Sequence, residues 1–200
     1  MSEIWEYRIL FLNGIWVTVR VTLMASAFMI VIAFIAGLAK ISRIWLVRII
    51  SIVYIEIFRG TSLIVQLFWL YYALPNLGIF LSAETTAVLG LSLCLGAYGA
   101  EVVRAAIQAV PKHQVEAATV LNFTRAQSMR YVIVPQAVRA MLPPFSNLLI
   151  ELLKGSALIA LITVPDLTFQ AKIVTLRTMK TLQAFGIDWC TQYNSWISQI

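Results

Sequence analysis

The chain has 200 residues, 60% of them hydrophobic and only 12% charged, with a formal net charge of +6. Soluble domains carry roughly twice that charged fraction and about 45–50% apolar residues, so the composition excludes an ordinary soluble domain and points to an integral membrane protein. The basic surplus is of the kind that collects at cytoplasmic membrane ends, and no basic patch on a soluble segment argues for nucleic-acid binding.

In chain order, the N-terminus opens with acidic Glu3 and Glu6 instead of a basic stretch. Residues 1–13 therefore read as a short external segment and not as a cleavable signal peptide. A helix crossing about 30 Å of hydrocarbon needs about 20 mostly apolar residues. Val21–Ala39 supplies 19 uncharged residues. Gly60–Ala83 is the second run, extended on its left by Ile49–Ile55, with Pro75, Asn76 and Gly78 turning the chain near a membrane surface. Thr85–Ala100 is the third, closing on Glu101 and Arg104, and Ala140–Val164 is the fourth, interrupted only by Glu151 and Lys154. These runs are continuous and do not alternate, which predicts an all-α polytopic membrane protein with four clear spans and not a β-barrel. Thr175–Ile200 contains no comparable run. A fifth span stays open there, and residues 176–200 read as an atypical tail, truncated or altered.

Charge sets the orientation. Lys40, Arg43, Arg48 and Arg59 lie between the first two runs, and Arg104, Lys112, Arg125, Arg130 and Arg139 between the last two; these are nine of the fifteen basic residues. The stretch Pro75–Glu84 has none. By the positive-inside rule both basic segments are cytoplasmic and the N-terminus is outside. Trp5, Trp16, Trp45, Trp69, Tyr71 and Tyr72 fall near the span ends, where amphipathic rings favour the interface.

The second basic segment is the most informative. Pro111 ends the third helix. Gln114–Leu121 reads as a short helix with Val115, Ala118 and Leu121 on one face, and Asn122 suits the left-handed position that ends a helix. Ala126–Val132 reads as a second short helix, after which Pro135 begins the return to the membrane. Small residues on such a knob allow a partner's groove to approach closely, and Glu116 can meet a basic partner residue; an ordinary interfacial connector is the other reading of the same residues.

Glu116-Ala117-Ala118, Asn122, then Val132, Val134 and Pro135 resemble the EAA loop of ABC-transporter permeases, with Asn122 in place of the motif's glycine. Phe58–Phe68 is similar to the FRGTPLLVQLF stretch of polar amino-acid permeases, with Ser62 at the proline. Gly96-Ala97-Tyr98-Gly99-Ala100-Glu101 to Arg104 resembles GAYxAExxR, and Lys154–Leu158 resembles KDTSL with three substitutions. The resemblance as a whole covers about residues 14–175 and makes them a permease transmembrane domain of the MetI-like type I importer fold, with its cytoplasmic EAA loop at about 109–135. Pro143–Lys154 most resembles the permeases for ectoine and hydroxyectoine.

The resemblance implies a bacterial inner-membrane importer subunit with three partners: an ABC ATPase gripping Glu116, Ala117, Ala118, Asn122 and Pro135; a second permease subunit, identical or related; and an extracytoplasmic solute-binding protein. Membrane lipid surrounds it, and no cofactor is implied. Hydrolysis then belongs to the separate ATPase, since GxxxxGK[ST] is absent.

Polar residues inside the runs are the remaining candidates. Glu151 and Lys154 share a helix face at i,i+3, with Asn147 one turn earlier. Each charge alone would cost about 2.5–3.5 kcal/mol in lipid, so a structural pair and a polar wall of a translocation path are the two readings. Gln66 serves equally as pore lining or as an interhelical hydrogen bond. Glu101 with Arg104 and Glu56 with Arg59 repeat the i,i+3 spacing at span ends and read as structural ion pairs. Phe68, Trp69, Tyr71 and Tyr72 suit a core or belt, or a cation–π surface. Cys94, Cys190 and the single His113 form no metal or disulfide pattern. A polytopic secondary transporter using Glu151 and Lys154 is the alternative function; a membrane enzyme is disfavoured by the lack of HExxH and GxSxG.

Overall fold

The computed structural model describes residues 8–178. Eight α-helices carry these residues: α1 (Arg8–Ile41), α2 (Trp45–Gly60), α3 (Leu63–Phe68), α4 (Ala83–Gln108), α5 (Lys112–Val120), α6 (Arg125–Ser128), α7 (Val134–Gly155) and α8 (Leu167–Thr178). Wide π-turns cover Trp69–Ala73 and Met129–Ile133, and 3₁₀ turns cover Leu74–Leu77 and Ser156–Ile162. Among the described residues there is no strand, as the unbroken apolar runs predict. The tail from residue 179 onward, with its open fifth span, lies outside the described residues.

Three helical stretches are long and apolar enough to cross a membrane: Ile9–Ile41, Ala83–Gln108 and Arg125–Ile162. They contain the first, third and fourth expected runs. The second expected run is corrected. Trp45–Gly60 and Leu63–Leu77 reach span length only as a pair across a break. Thr61 (φ −113°, ψ 146°) and Ser62 (φ −69°, ψ 142°) are extended there, so the Ile49–Ile55 stretch belongs to a separate helix and does not extend the next one. A proline at position 62 would push its predecessor out of the helical region. Here the break forms with serine, and Thr61 closes α2 by donating its hydroxyl to Ile57 O at 2.9 Å.

The helices fall into two compact units. The first contains residues 8–27, Ser62–Ser92 and 150–178. Phe11 packs on Leu167, Ala171 and Val174. Gly14 lets the two backbones touch: a Cβ there would sit 3.0 Å from Leu167 Cα. Thr18 Oγ1 donates to Gly14 O at 2.9 Å and accepts from Leu167 N at 3.2 Å, so one hydroxyl supplies a partner to an amide of the first turn of α8. Asp166 supplies another, accepting from Phe169 N at 2.8 Å. Arg20 and Glu84 form an ion pair at 3.2 Å.

The second unit contains Phe28–Thr61 and Leu93–Leu149. Val103, Ala106, Ile107, Ala137 and Met141 form a buried cluster there. Gly37 faces Ala100 and Val103, and Phe34 stacks on Phe145 with ring centres 6.0 Å apart. Ser51 donates to Ala36 O and Tyr54 to Leu93 O, both at 2.6 Å, which satisfies two hydroxyls inside apolar packing.

Candidate docking and translocation residues

The candidate docking segment is built from local rules. Pro111, with ψ 137°, stands before the first turn of α5. The helix stops because Asn122 adopts φ 58°, a left-handed conformation that Asn tolerates better than other non-glycine residues. Phe123 N then bonds to Ala118 O and Asn122 N to Thr119 O, both at 3.0 Å. This is the Schellman pattern, and Asn122 occupies its C′ position. Thr124 opens the next helix with a reciprocal capping box: Gln127 N donates to Thr124 Oγ1 (3.3 Å) and Thr124 N donates to Gln127 Oε1 (2.8 Å).

On α5, Glu116 and Ala117 are exposed while Ala118 is 2% exposed. Leu121 does not share the cover of Ala118: it is 68% exposed, and its neighbour Val120 is 82% exposed. The helix ends between Ala118 and Leu121, so the regular i,i+3 projection no longer holds. Val120 and Phe123, both exposed, are the residues that sequence periodicity missed; the signal available was apolar side chains on a largely polar knob. The second expected helix is also corrected. Only Arg125–Ser128 is α-helical, and Met129–Ile133 forms a π-turn that runs straight into α7. Pro135 is exposed in the first turn of α7 and begins no separate element.

Glu101 is the polar centre of the second unit. Its Oε2 accepts from Arg104 Nε at 2.7 Å, Lys40 Nζ contacts its Oε1, and Arg104 Nη1 reaches Gln108 Oε1 at 2.5 Å. Both carboxylate oxygens are thus committed, and Lys40 ties the end of α1 to the last turns of α4. The Glu101–Arg104 spacing was legible at i,i+3; Lys40, 61 positions away, was not. Glu56 and Arg59 differ from expectation. Among the described residues their side chains form no ion pair within 4 Å; the Arg59 guanidinium instead lies 5.2 Å from the Tyr98 ring centre. A partly covered aromatic face can compete with an exposed carboxylate for a guanidinium.

Gln66 is buried in α3. Asn147, Glu151 and Lys154 are all exposed on α7. The ring group holds together locally: Phe68 and Tyr72 are 5.7 Å apart, Tyr71 and Tyr72 meet edge-on at 4.9 Å, and Tyr71 Oη lies 3.1 Å from Thr163 Oγ1.

Residues 12–189 match the family described as "Binding-protein-dependent transport system inner membrane component". A probable amino-acid ABC transporter permease protein of Sinorhizobium fredii is 50% identical, covering 88% of this chain and 79% of the relative. An L-cystine transport system permease protein of Bacillus subtilis is 35% identical over 88% of this chain and 75% of its own length. A crystal structure of an amino acid ABC transporter with histidines superposes with a TM-score of 0.93 at 35% identity, covering 99% of this chain and 92% of that one. By this match over most of its length, the chain belongs to the family of inner membrane components of binding-protein-dependent transport systems.

Proposed function

We propose that this protein is the permease subunit of an ABC importer for polar amino acids or, as the Pro143–Lys154 sequence suggests, for ectoine or hydroxyectoine. The observation that carries the reading is the α5 knob: Glu116 and Ala117 exposed, Ala118 turned inward, and a Schellman end that presents Val120 and Leu121. Small residues beside an acid give an ATPase groove both close approach and a charge to pair. Family membership, the amino-acid transport names of its relatives, and the basic residues around the knob support the same conclusion. The knob then lies in the cytoplasm, with the N-terminus outside and residues 14–175 forming the transmembrane domain.

Asn147, Glu151 and Lys154 support a second permease subunit. All three are exposed in the isolated chain, and a charge such as that of Glu151 would cost up to about 2.5–3.5 kcal/mol against lipid. A partner subunit and a shared polar path remove that cost, with buried Gln66 a further candidate for the path. Glu101, with Lys40 and Arg104, braces the helix that leads into the knob. Transport follows as a population shift: ATP favours closed ATPases, the knobs move with them, and the spans exchange inward-open for outward-open arrangements. A separate solute-binding protein delivers the substrate.

The test is reconstitution of the chain with its ATPase and binding protein in liposomes, followed by uptake of labelled glutamine, arginine and ectoine. ATP-dependent uptake and ATPase co-purification should both be lost in Glu116→Lys. Uptake that persists without the ATPase would overturn the importer reading in favour of a secondary transporter. A binding protein that ignores ectoine would remove the narrower substrate.

A further inference from the structure

Two wide helical turns in this protein share one arrangement. In the first unit the π-turn Trp69–Ala73 closes with Leu74 N donating to Trp69 O, and Pro75 follows. In the second unit Met129–Ile133 closes with Val134 N donating to Met129 O, and Pro135 follows. A proline inside a helix has no N–H to donate, and its ring collides with the carbonyl four residues back, here Tyr71 and Tyr131. A π-turn is in effect an α-helix carrying one additional residue, and it opens the backbone at that point. The wide turn recurs directly before Pro75 and Pro135 in two unrelated sequence contexts, while Pro143 and Pro144 lie within α7 without one, so the pairing is a feature of these two sites.

The second of these turns sits at a mechanical junction. Upstream are α5, the Asn122 turn and the Thr124 capping box; downstream is α7, and Arg125–Ile162 continues as one span-length helical stretch through the turn. The docking helix α5 packs against both α6 and the π-turn, and the Phe123 and Tyr131 rings lie 6.5 Å apart. Met129 and Ile133 anchor the turn on the Val103–Met141 core. The direction in which Glu116 and Leu121 face is therefore tied to the helical phase at residues 129–133.

We infer that Pro135 is a positioning residue: by keeping the additional residue in a π-turn, it holds the docking surface of α5 in phase with α7. An α-helix advances about 100° and 1.5 Å per residue. If the additional residue were absorbed into regular α-helix, all that precedes it would turn by roughly 100° about the α7 axis. The inference rests on the docking role proposed for α5.

The experiment compares Pro135→Ala with the same substitution combined with deletion of Val132, which belongs to neither the core cluster nor the ring pair. Alanine restores the N–H and removes the collision, so the segment closes to α-helix out of phase; deleting one residue brings the flanks back into phase without a π-turn. Spin labels at the exposed positions Ala126 and Val138, which take no part in the capping box, read the phase directly. Pro135→Ala should change their separation by about 5–8 Å, the displacement of side-chain ends on a helix turned by roughly 100°. It should also lower ATPase co-purification and ATP-driven uptake by at least about tenfold, the scale of losing one central interface contact. The double variant should restore all three.

An unchanged label distance and uptake in Pro135→Ala would overturn the inference, as would a deletion that fails to restore the distance. If Pro135→Ala does not accumulate in the membrane, the double variant decides: it must accumulate and transport. If the distances behave as expected while the wild-type chain never retains an ATPase, the docking reading fails and the phase-setting role of Pro135 stands.

Discussion

Substituting Gly37 by alanine should separate α1 from α4 and destabilise the second unit. A Cβ there would sit 2.8 Å from Ala100 O, 2.8 Å from Val103 Cβ and 2.9 Å from Val103 Cγ1. Two of the three are backbone or Cβ atoms, which no rotamer change can move. Ordinary contact begins at 3.4 Å, so the helices must part by roughly 0.6 Å. Overpacking of this kind costs about 1–3 kcal/mol, and the gain of replacing glycine by alanine in a helix returns only about 0.5–1 kcal/mol. The midpoints of these ranges leave a net loss of about 1.25 kcal/mol, or a Tm lower by about 2.5–5 °C for a chain of this size. Cys94 is buried, so in a background with Cys190 replaced by serine a thiol-reactive dye follows unfolding in detergent. Gly60 is the matched control, because a Cβ there meets nothing within 4 Å. Gly60→Ala should melt at or slightly above the wild-type temperature. A Gly37→Ala protein that melts as high as Gly60→Ala would refute the close-packing argument.

Three other substitutions test the polar and backbone features. Thr124→Ala removes the capping box at a cost of about 1 kcal/mol, which should speed amide hydrogen exchange in residues 124–133 by roughly fivefold; unchanged exchange would show that the cap contributes nothing. Asn122→Val forces a β-branched residue to φ 58° and should cost at least about 1–2 kcal/mol, whereas Asn122→Gly should be neutral or stabilising; equal melting of the two would contradict the left-handed helix end. Lys40→Met strips one charged donor from Glu101, whose side chain is 17% exposed, and should lower stability by about 1.5–3 kcal/mol, with Lys40→Arg recovering most of it in the same melting assay.

Hydropathy runs, the basic segments, the Asn122 turn and the Glu101–Arg104 spacing were all legible in the sequence because each is a local property. Apolar length selects a span, charge selects a side, and the tolerance of one residue for φ > 0 ends a helix. The same residues resembled known permease motifs for the same reason: those motifs are short and contiguous. What stayed hidden depends on which chain segments meet. Lys40 reaches Glu101, Arg20 reaches Glu84, and Arg59 covers Tyr98 only because their helices pack side by side. The break at Thr61 and Ser62 and the two π-turns were hidden as well, since apolar periodicity reports burial and is silent on backbone register. Composition and local pattern thus determined by themselves that this chain crosses a membrane and carries a polar knob. Tertiary packing alone decided which charges pair and which of Ala118 and Leu121 is covered, because those outcomes depend on the distance between segments remote in sequence.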